Sequence, residues 1–234
     1  MNKKRYFEGI PREATKKYLK SIAHKTKKNH NIIWLNKRFA VFPSVFSPKY
    51  FKDPEFFAKE IPIKKGETFL EIGCGTGIIA IFAVMKGASR VYAIDINPKA
   101  VENTRHNARI HHVQEKMTIL QGDVFTPLQH ETFDTIFWNT PWGLVKEKNL
   151  TPLERALWDT EYRSTTKFIK EAHKYLNKKG RLLIGFSSTI GDYGYLQKIL
   201  KDNKYTAKVI KKTISQSIDF PAKFEIIEAK LRKR

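Results

Sequence analysis

The central part of the chain alternates short apolar runs with longer amphipathic stretches. Five runs have the length of β-strands, at 68–72, 90–95, 117–120, 133–138 and 180–186. Between them, apolar residues recur at helical spacing at 78–87, 98–111 and about 160–176. Strands that alternate with helices of this length are typical of βαβ units, which build a parallel sheet covered by helices on both faces. The pattern therefore predicts an α/β fold.

Shorter patterns flank this central part. The first 60 residues contain a basic amphipathic stretch at 12–23, two alternating runs around Asn36-Lys37 and a short helical pattern near 54–58. We interpret them as a helix, a β-hairpin and a second helix. Runs at 206–210 and 223–229 predict two more strands, paired at an edge of the sheet. We therefore divide the chain into a basic N-terminal extension, 1–60, and an α/β domain, 61–234.

Charge and cysteine content narrow the class of protein. The chain has 44 Lys and Arg against 23 Asp and Glu, a formal net charge of +21. This excess favours a polyanionic partner such as RNA, although a generally lysine-rich surface explains it equally well. A single cysteine, Cys74, excludes an intrachain disulfide and a multi-thiolate metal site. We expect a cytoplasmic protein with neither a membrane span nor a secretory leader.

A glycine-rich turn follows the first central strand. Residues 71–77 read Glu-Ile-Gly-Cys-Gly-Thr-Gly. Glycines let a ligand approach the backbone closely, and the helix that follows offers free N–H groups. The dinucleotide fingerprint needs a glycine at position 78, which is Ile78, and the sequence contains no G-x-x-x-x-G-K-[ST] phosphate loop. The turn therefore argues against a dinucleotide and against a nucleoside triphosphate.

Acidic residues accompany the ends of the first three central strands. Glu71 precedes the glycines, where a carboxylate disfavours phosphate and suits a ligand that carries an amine or a sulfonium. Asp95 ends the second strand, where a carboxylate can accept from both hydroxyls of a ribose. Asp123 follows the third strand and can accept from an adenine amino group. Because open parallel sheets bind ligands at the carboxyl ends of their strands, we expect these three side chains at one site.

With these residues the chain resembles the class I S-adenosylmethionine (SAM)-dependent methyltransferases. The resemblance runs from about Gly66 to Ala229 and is carried by the glycine turn, Asp95-Ile96-Asn97-Pro98 and Asp123. It implies SAM as cofactor and a Rossmann-like seven-stranded sheet with helices on both faces, whose last strand is antiparallel. It also implies that Gly73, Gly75 and Gly77 lie along SAM, with Asp95 at its ribose and Asp123 and Val124 at its adenine. Glu71, Ile96 and Asn139 complete the expected cofactor-binding set.

The segment after the fourth central strand concerns the methyl acceptor. Asn139-Thr140-Pro141-Trp142 is similar to the Asn-Pro-Pro-aromatic motif of the small methyltransferase group. That group includes release-factor glutamine and ribosomal RNA guanine-N2 methyltransferases, which act on planar nitrogen groups. Such a nitrogen is a poor nucleophile because its lone pair is delocalised, so an Asn oxygen and a backbone carbonyl must orient it. An aromatic ring after proline can stack on the planar group. We therefore expect Asn139, Pro141 and Trp142 to be catalytic, without a metal.

Three features leave alternatives open. Thr140 stands where the motif has its first proline, so we expect a less rigidly held carbonyl there. If the segment is only a strand-ending turn, oxygen and carbon acceptors are as open as nitrogen. Phe46 and Ser47 lie in a segment that resembles one over the SAM pocket in the small methyltransferase group, but the same segment also suits core packing. Trp158 and Tyr162 either wall the acceptor site together with Arg163 or form the packed face of a helix.

The leading hypothesis is a SAM-dependent N-methyltransferase that acts on an RNA base or on a protein glutamine. A small-molecule O- or N-methyltransferase is one alternative. Another is a protein that keeps the methyltransferase fold, binds RNA and lacks catalysis.

Overall fold

The computed structural model describes residues 28–50, 53–217 and 220–232. The basic helix predicted at 12–23 lies outside these residues. The strands are β1 (His30–Trp34), β2 (Lys37–Val41), β3 (Thr68–Ile72), β4 (Arg90–Asp95), β5 (Met117–Gln121), β6 (Phe133–Asn139), β7 (Gly143–Val145), β8 (Trp158–Thr160), β9 (Leu176–Phe186), β10 (Tyr205–Ser217) and β11 (Phe220–Leu231). The α-helices are α1 (Asp53–Glu60), α2 (Ile78–Met85), α3 (Pro98–Ile110), α4 (Pro152–Arg155), α5 (Arg163–Glu171) and α6 (Tyr193–Asp202).

Seven strands form the main sheet in the order β10-β11-β9-β6-β3-β4-β5. The five strands from β9 to β5 run parallel, whereas β11 is antiparallel to both of its neighbours. This arrangement confirms the predicted α/β fold with an antiparallel last strand. The two C-terminal strands do pair at one edge of the sheet, and both are longer than the sequence pattern indicated.

The register of the parallel strands brings their carboxyl ends to one level. Ile72 of β3 is level with Ile94 of β4 on one side and with Trp138 of β6 on the other. The next residue along each strand therefore leaves the sheet at the same edge. That edge carries the glycine turn, Asp95 and Asn139.

The hairpin β1–β2 is bound into the domain rather than set apart from it. Phe39 and Val41 are fully buried in the same apolar cluster as the sheet. Asn103 and Asn107 of α3 each donate an amide N–H to the Ala40 carbonyl, at 2.9 and 2.8 Å. These bonds place the segment that follows β2 above the carboxyl edge of the sheet.

Two predicted elements differ from the structure in position. The hairpin turns at Leu35 and Asn36, both with positive φ, one residue earlier than predicted; such turns match the twist of the paired strands. The helix predicted over about 160–176 begins only at Arg163.

The shared helical face predicted for Trp158 and Tyr162 was therefore wrong. Trp158 lies in β8, opposite Gly143 of β7, and Tyr162 takes a left-handed conformation. The reason lies at the helix start, where Asp159 accepts from the N–H groups of Ser164 and Thr165 at 3.1 and 2.8 Å. Both N–H groups lie in the first turn of α5, where they lack partners within the helix, so bonds to a carboxylate stabilise the helix start at this place.

Candidate active site

A cavity of about 430 Å³ opens at the carboxyl edge of the main sheet. Its volume falls within the range usual for small-molecule sites. Eight of the nine predicted cofactor-binding residues line it, and Gly77 does not: the eight are Glu71, Gly73, Gly75, Asp95, Ile96, Asp123, Val124 and Asn139.

The glycines of the turn have different structural tasks. All three have positive φ. A Cβ at Gly73 would lie 2.8 Å from the Trp138 indole, and one at Gly77 would lie 2.8 Å from Thr104, so both positions are closed to larger residues by packing. A Cβ at Gly75, by contrast, would have no atom within 4 Å. Because Gly75 lines the cavity, its missing side chain leaves space for a ligand beside the backbone.

Asp95 pins the turn in place. One carboxylate oxygen accepts from the Gly75 N–H at 2.9 Å, and the other accepts from the Asn97 N–H at 2.8 Å. Burial raises the pKa of Asp95, against the effect of these bonds. Each oxygen still has a lone pair with which it can accept from a hydroxyl group.

Glu71 lies buried beneath the same turn. Its carboxylate accepts from the Ala80 N–H at 2.8 Å, in the first turn of α2. Burial raises the pKa of Glu71 well above its usual range, and the charge of Asp95 adds to this effect. A ligand that brings positive charge would stabilise the ionised forms of both carboxyl groups, so the pair favours a cationic ligand.

The end of β5 contributes Asp123 and Val124. The Asp123 carboxylate forms an ion pair with Lys167 at 2.7 Å. Val124 is buried with φ +57°, a conformation that is rare for a β-branched residue. Strain of this kind clusters at ligand sites, which agrees with the place of Val124 in the cavity wall.

At the other end of the cavity, the Asn139 amide is half satisfied. Its Nδ2 donates to Asp53 Oδ2 at 2.7 Å. Its Oδ1 is buried and has no hydrogen-bond partner among the described residues. Gly185 of β9 lies beside that oxygen, because a Cβ there would stand 3.1 Å from Oδ1. Pro141 also lines the cavity.

Asp53 is a residue beside the site that the sequence analysis missed. It begins α1 and is almost completely buried, with an exposed fraction of 1%. Burial raises its pKa to about 7, opposed by the bonds from the Asn139 amide and its own backbone N–H. Its Oδ1, like that of Asn139, is buried without a partner among the described residues. No local motif marks this residue, which is 86 positions away from Asn139.

Thr140 is held firmly despite the missing proline. Its backbone N–H and its Oγ1 both donate to the Gly185 carbonyl, each at 3.1 Å. The N–H that proline would lack is thus used to tie this position to β9. The expectation of a loosely held residue was wrong for this reason.

The aromatic walls of the cavity agree with one sequence expectation, for Trp158, and not with the other, for Trp142. Trp142 is buried against Phe224, with ring centroids 5.3 Å apart, and does not line the cavity. Trp138 and Trp158 line it, and Trp158 is one of the residues that the sequence analysis gave as a possible wall of the acceptor site. The rings available for stacking in the cavity are therefore those of Trp138 and Trp158, and not that of Trp142.

The segment after β2 divides between the two expected environments. Phe46 lines the cavity, whereas Ser47 is buried and hydrogen-bonded to the His30 ring at 3.1 Å. Phe46 thus agrees with the pocket interpretation and Ser47 with the core interpretation.

An insert between β6 and α5 closes the acceptor side of the cavity. It consists of β7, α4 and β8, and it is fastened by Tyr162, whose hydroxyl donates to the Trp142 carbonyl at 2.5 Å and accepts from the Asp192 N–H at 2.9 Å. The insert brings the exposed Lys148 and Arg155 to the rim, and the exposed Arg163, the first residue of α5, lines the same cavity. Sequence reasoning named Arg163 but missed the other two, although long loops at this edge commonly carry function.

Two kinds of feature are absent from the described residues. No group of three or more His, Cys, Asp or Glu side chains in this part of the chain comes together as a metal site. None of the helices described is long and apolar enough to cross a membrane.

Residues 36–216 match the family model described as methyltransferase small domain. Because this match spans most of the chain, the chain belongs to that family, whose members are enzymes that use SAM. The family resemblance and the cofactor predicted from the sequence are thereby confirmed.

Two similar sequences and one solved structure of similar fold show what the chain resembles. The chain is 32% identical over 93 residues to ribosomal protein L11 methyltransferase of Carboxydothermus hydrogenoformans. The aligned residues cover 40% of this chain and 30% of that protein. The chain is 29% identical over 166 residues to a candidate protein N5-glutamine methyltransferase of Methanocaldococcus jannaschii, covering 69% of this chain and 82% of that protein. The structure of T. thermophilus 16S rRNA N2 G1207 methyltransferase with AdoMet and guanosine superimposes with a TM-score of 0.62 at 16% identity, covering 87% of this chain and 50% of that chain.

Proposed function

We propose that this protein methylates the nitrogen of a planar amine or amide, with Asn139 as the residue that orients the acceptor. The observation that carries the proposal is the buried, unpartnered Oδ1 of Asn139, a residue that lines the cavity. A buried carbonyl oxygen without a hydrogen bond costs about 1–3 kcal/mol. An acceptor that donates an N–H to this oxygen would remove that cost.

The residues of the cofactor end fit SAM. The open space beside Gly75 suits a ligand that lies along the turn, and Asp95 has lone pairs for ribose hydroxyls. The positive charge of SAM would favour the ionised form of Glu71, which burial disfavours while no cation is near. When bound, SAM provides a methyl group activated by a sulfonium.

The residues of the acceptor end hold and enclose the planar group. Asn139 accepts one N–H, and the anchor of Thr140 on β9 fixes the backbone that follows it. The indoles of Trp138 and Trp158 provide apolar walls on which a planar group can stack and which exclude water. Correct orientation of such a nitrogen can supply a large part of the rate enhancement, up to about 7–11 kcal/mol in well-oriented systems.

The rim of the cavity favours an RNA base over a protein glutamine. Lys148, Arg155 and Arg163 stand around the acceptor side, and of these Arg163 is paired with Glu161 at 2.5 Å. Cations near a cavity mouth attract a phosphate backbone, and the net charge of +21 would support the same partner. The named activities of the relatives include both a protein glutamine and a ribosomal RNA guanine, so they leave this choice to experiment.

Transfer of labelled methyl from SAM into a cell extract tests the proposal. We expect RNase-sensitive label; label that only protease removes would make the acceptor a protein amide, and label in small molecules alone would overturn the macromolecular substrate. Asn139→Ala should lower transfer by about 10²-fold or more while SAM affinity changes little.

A matched control for this variant is Asn177→Ala. The Asn177 Nδ2 also donates to an aspartate at 2.7 Å, Asp134, but at the opposite end of β6 and outside the cavity wall. Normal transfer by Asn139→Ala, or an equal loss in both variants, would contradict the role of Asn139.

A further inference from the structure

A buried carboxylate stands directly behind the Asn139 amide. We infer that Asp53 is a positioning residue for methyl transfer: its carboxylate accepts the Asn139 Nδ2–H and thereby leaves Oδ1 as the end of the amide that meets the acceptor nitrogen. This inference rests on the proposed function of Asn139 and extends it to a residue that does not line the cavity.

The argument begins with the two ends of an amide. Rotation about its terminal bond exchanges an oxygen that accepts with a nitrogen that donates, and a planar amine can bond only to the oxygen. Above about pH 7, where Asp53 is ionised, its carboxylate only accepts, so it can face Nδ2 and not Oδ1. The 2.7 Å bond to Asp53 therefore selects one of two orientations of Asn139. Hydrogen bonds to a charged group are roughly twice as strong as neutral ones, which makes the selection effective.

The fold places Asp53 for this task through α1. Phe57, one helical turn later, is fully buried and contacts Phe137 of β6, with ring centroids 5.6 Å apart. A Cβ at Gly185 would also lie 3.0 Å from the Phe57 ring. The helix is thus packed over the ends of β6 and β9, and its first residue reaches the Asn139 amide.

A purely structural role as a helix cap does not account for this geometry. A capping side chain accepts from backbone N–H groups two or three residues further along the helix. Asp53 Oδ2 accepts instead from the Asn139 amide, and Asp53 Oδ1 has no partner among the described residues. Its burial raises its pKa to about 7, so its charged form is disfavoured where it stands. An ionised carboxylate at this buried position destabilises the folded protein. Its presence there is explained if its hydrogen bond is needed to orient Asn139.

Variants of Asp53 separate positioning from folding. We expect Asp53→Ala to lower kcat for transfer by about 10²-fold, because a misplaced reacting group costs rates of that order. The KM for the acceptor and the affinity for SAM should change little. Asp53→Asn keeps the shape and one accepting oxygen but loses the fixed direction, so its kcat should fall between those of Asp53→Ala and the unmodified protein.

Asp134→Asn is the matched control. Asp134 accepts an asparagine Nδ2 at the same distance of 2.7 Å, from Asn177, at the start of β6. The Asp134→Asn variant should have the kcat of the unmodified protein under conditions in which both are folded. Equal kcat values for Asp53→Ala and the unmodified protein would overturn the inference, as would equal losses in Asp53→Ala and Asp134→Asn.

A second measurement needs no acceptor at all. The side-chain amide signals of Asn139, assigned by their loss in Asn139→Ala, should shift in the ¹⁵N–¹H spectrum as pH passes through about 7, where Asp53 ionises. That shift should be absent in Asp53→Asn and preserved in Asp134→Asn. Amide signals that ignore both pH and the Asp53 substitutions would refute the link between the two residues. If the unmodified protein transfers no label while the link is present, the proposed function fails and the Asp53–Asn139 contact stands.

Discussion

The two ends of the cavity differ in how their polar groups are satisfied. At the cofactor end, protein donors already occupy the carboxylates of Asp95 and Glu71, through the N–H groups of Gly75, Asn97 and Ala80. At the acceptor end, Oδ1 of Asn139 and Oδ1 of Asp53 are buried without partners among the described residues.

This difference indicates how each end is built to bind. A satisfied carboxylate holds the turn in shape before any ligand arrives, so little ordering is left for SAM to accomplish. An unsatisfied buried oxygen, in contrast, favours a partner that brings the missing N–H, and it disfavours one that lacks it. The cofactor end is therefore expected to set affinity through its shape, and the acceptor end to set specificity through one unmet hydrogen bond.

The largest effect on this comparison should come from filling the open space at the cofactor end. We expect Gly75→Ala to weaken SAM binding by about tenfold to about 10²-fold, because overpacking costs about 1–3 kcal/mol. Isothermal titration with SAM measures this change.

Gly66→Ala is its matched control. Gly66 also has positive φ and no atom within 4 Å of its missing side chain, but it does not line the cavity. Both variants should lose a similar amount of stability from backbone strain, about 1–2 kcal/mol. Unchanged SAM affinity in Gly75→Ala would show that the space beside Gly75 is not used by the cofactor.

A smaller effect, a gain in stability, should follow from replacing the Asp53 carboxyl at the acceptor end by a neutral amide. The pKa of Asp53 rises from 3.8 to about 7 on folding, so the folded state holds this proton more tightly than the unfolded one. Stability is therefore lost as pH rises from about 4 to about 7. Asp53→Asn removes this loss, and we expect its free energy of unfolding at pH 8 to exceed that of the unmodified protein by on the order of 2 kcal/mol. The gain should vanish near pH 4 in urea denaturation.

Asp134→Asn sharpens this test because folding lowers the pKa of Asp134, so the expected change in stability at pH 8 has the opposite sign. Burial opposes ionisation of Asp134, but hydrogen bonds from Thr68 and Asn177 outweigh it and lower its pKa. Its contribution is present above the unfolded pKa and is lost as pH falls through the folded one. This variant should therefore be destabilised at pH 8. A loss of stability at pH 8 in Asp53→Asn as well would contradict the raised pKa of Asp53.

The two ends also differ in how well the sequence predicted them. The glycine turn occupies seven consecutive residues, and Asp95 closes the next strand along the chain, so local patterns brought both to one edge of a parallel sheet. The parallel α/β core and the pair of C-terminal edge strands followed from similar patterns, whereas the seven-stranded sheet with an antiparallel last strand was implied by the family resemblance.

The acceptor end depends on contacts between distant segments. Asp53 meets Asn139 only because α1 packs over β6, and no spacing rule connects residues 86 positions apart. The place of Trp142 was missed for a related reason: its ring turns towards Phe224 of β11, while Trp158 reaches the cavity from a strand that the periodicity indicated as helix.

The smallest expected effect concerns the anchor of the acceptor end on β9. Thr140→Val keeps the backbone N–H bond to the Gly185 carbonyl and the β-branched shape, and it removes only the bond from Oγ1 at 3.1 Å. A buried hydrogen bond contributes about 1 kcal/mol, so we expect unfolding to become easier by about that amount. Methyl transfer should fall by less than about tenfold, since the N–H bond still fixes the backbone after Asn139. Thr140→Pro would restore the family motif and remove both bonds; transfer by this variant above that of Thr140→Val would show that proline rigidity, and not the tie to β9, controls this position.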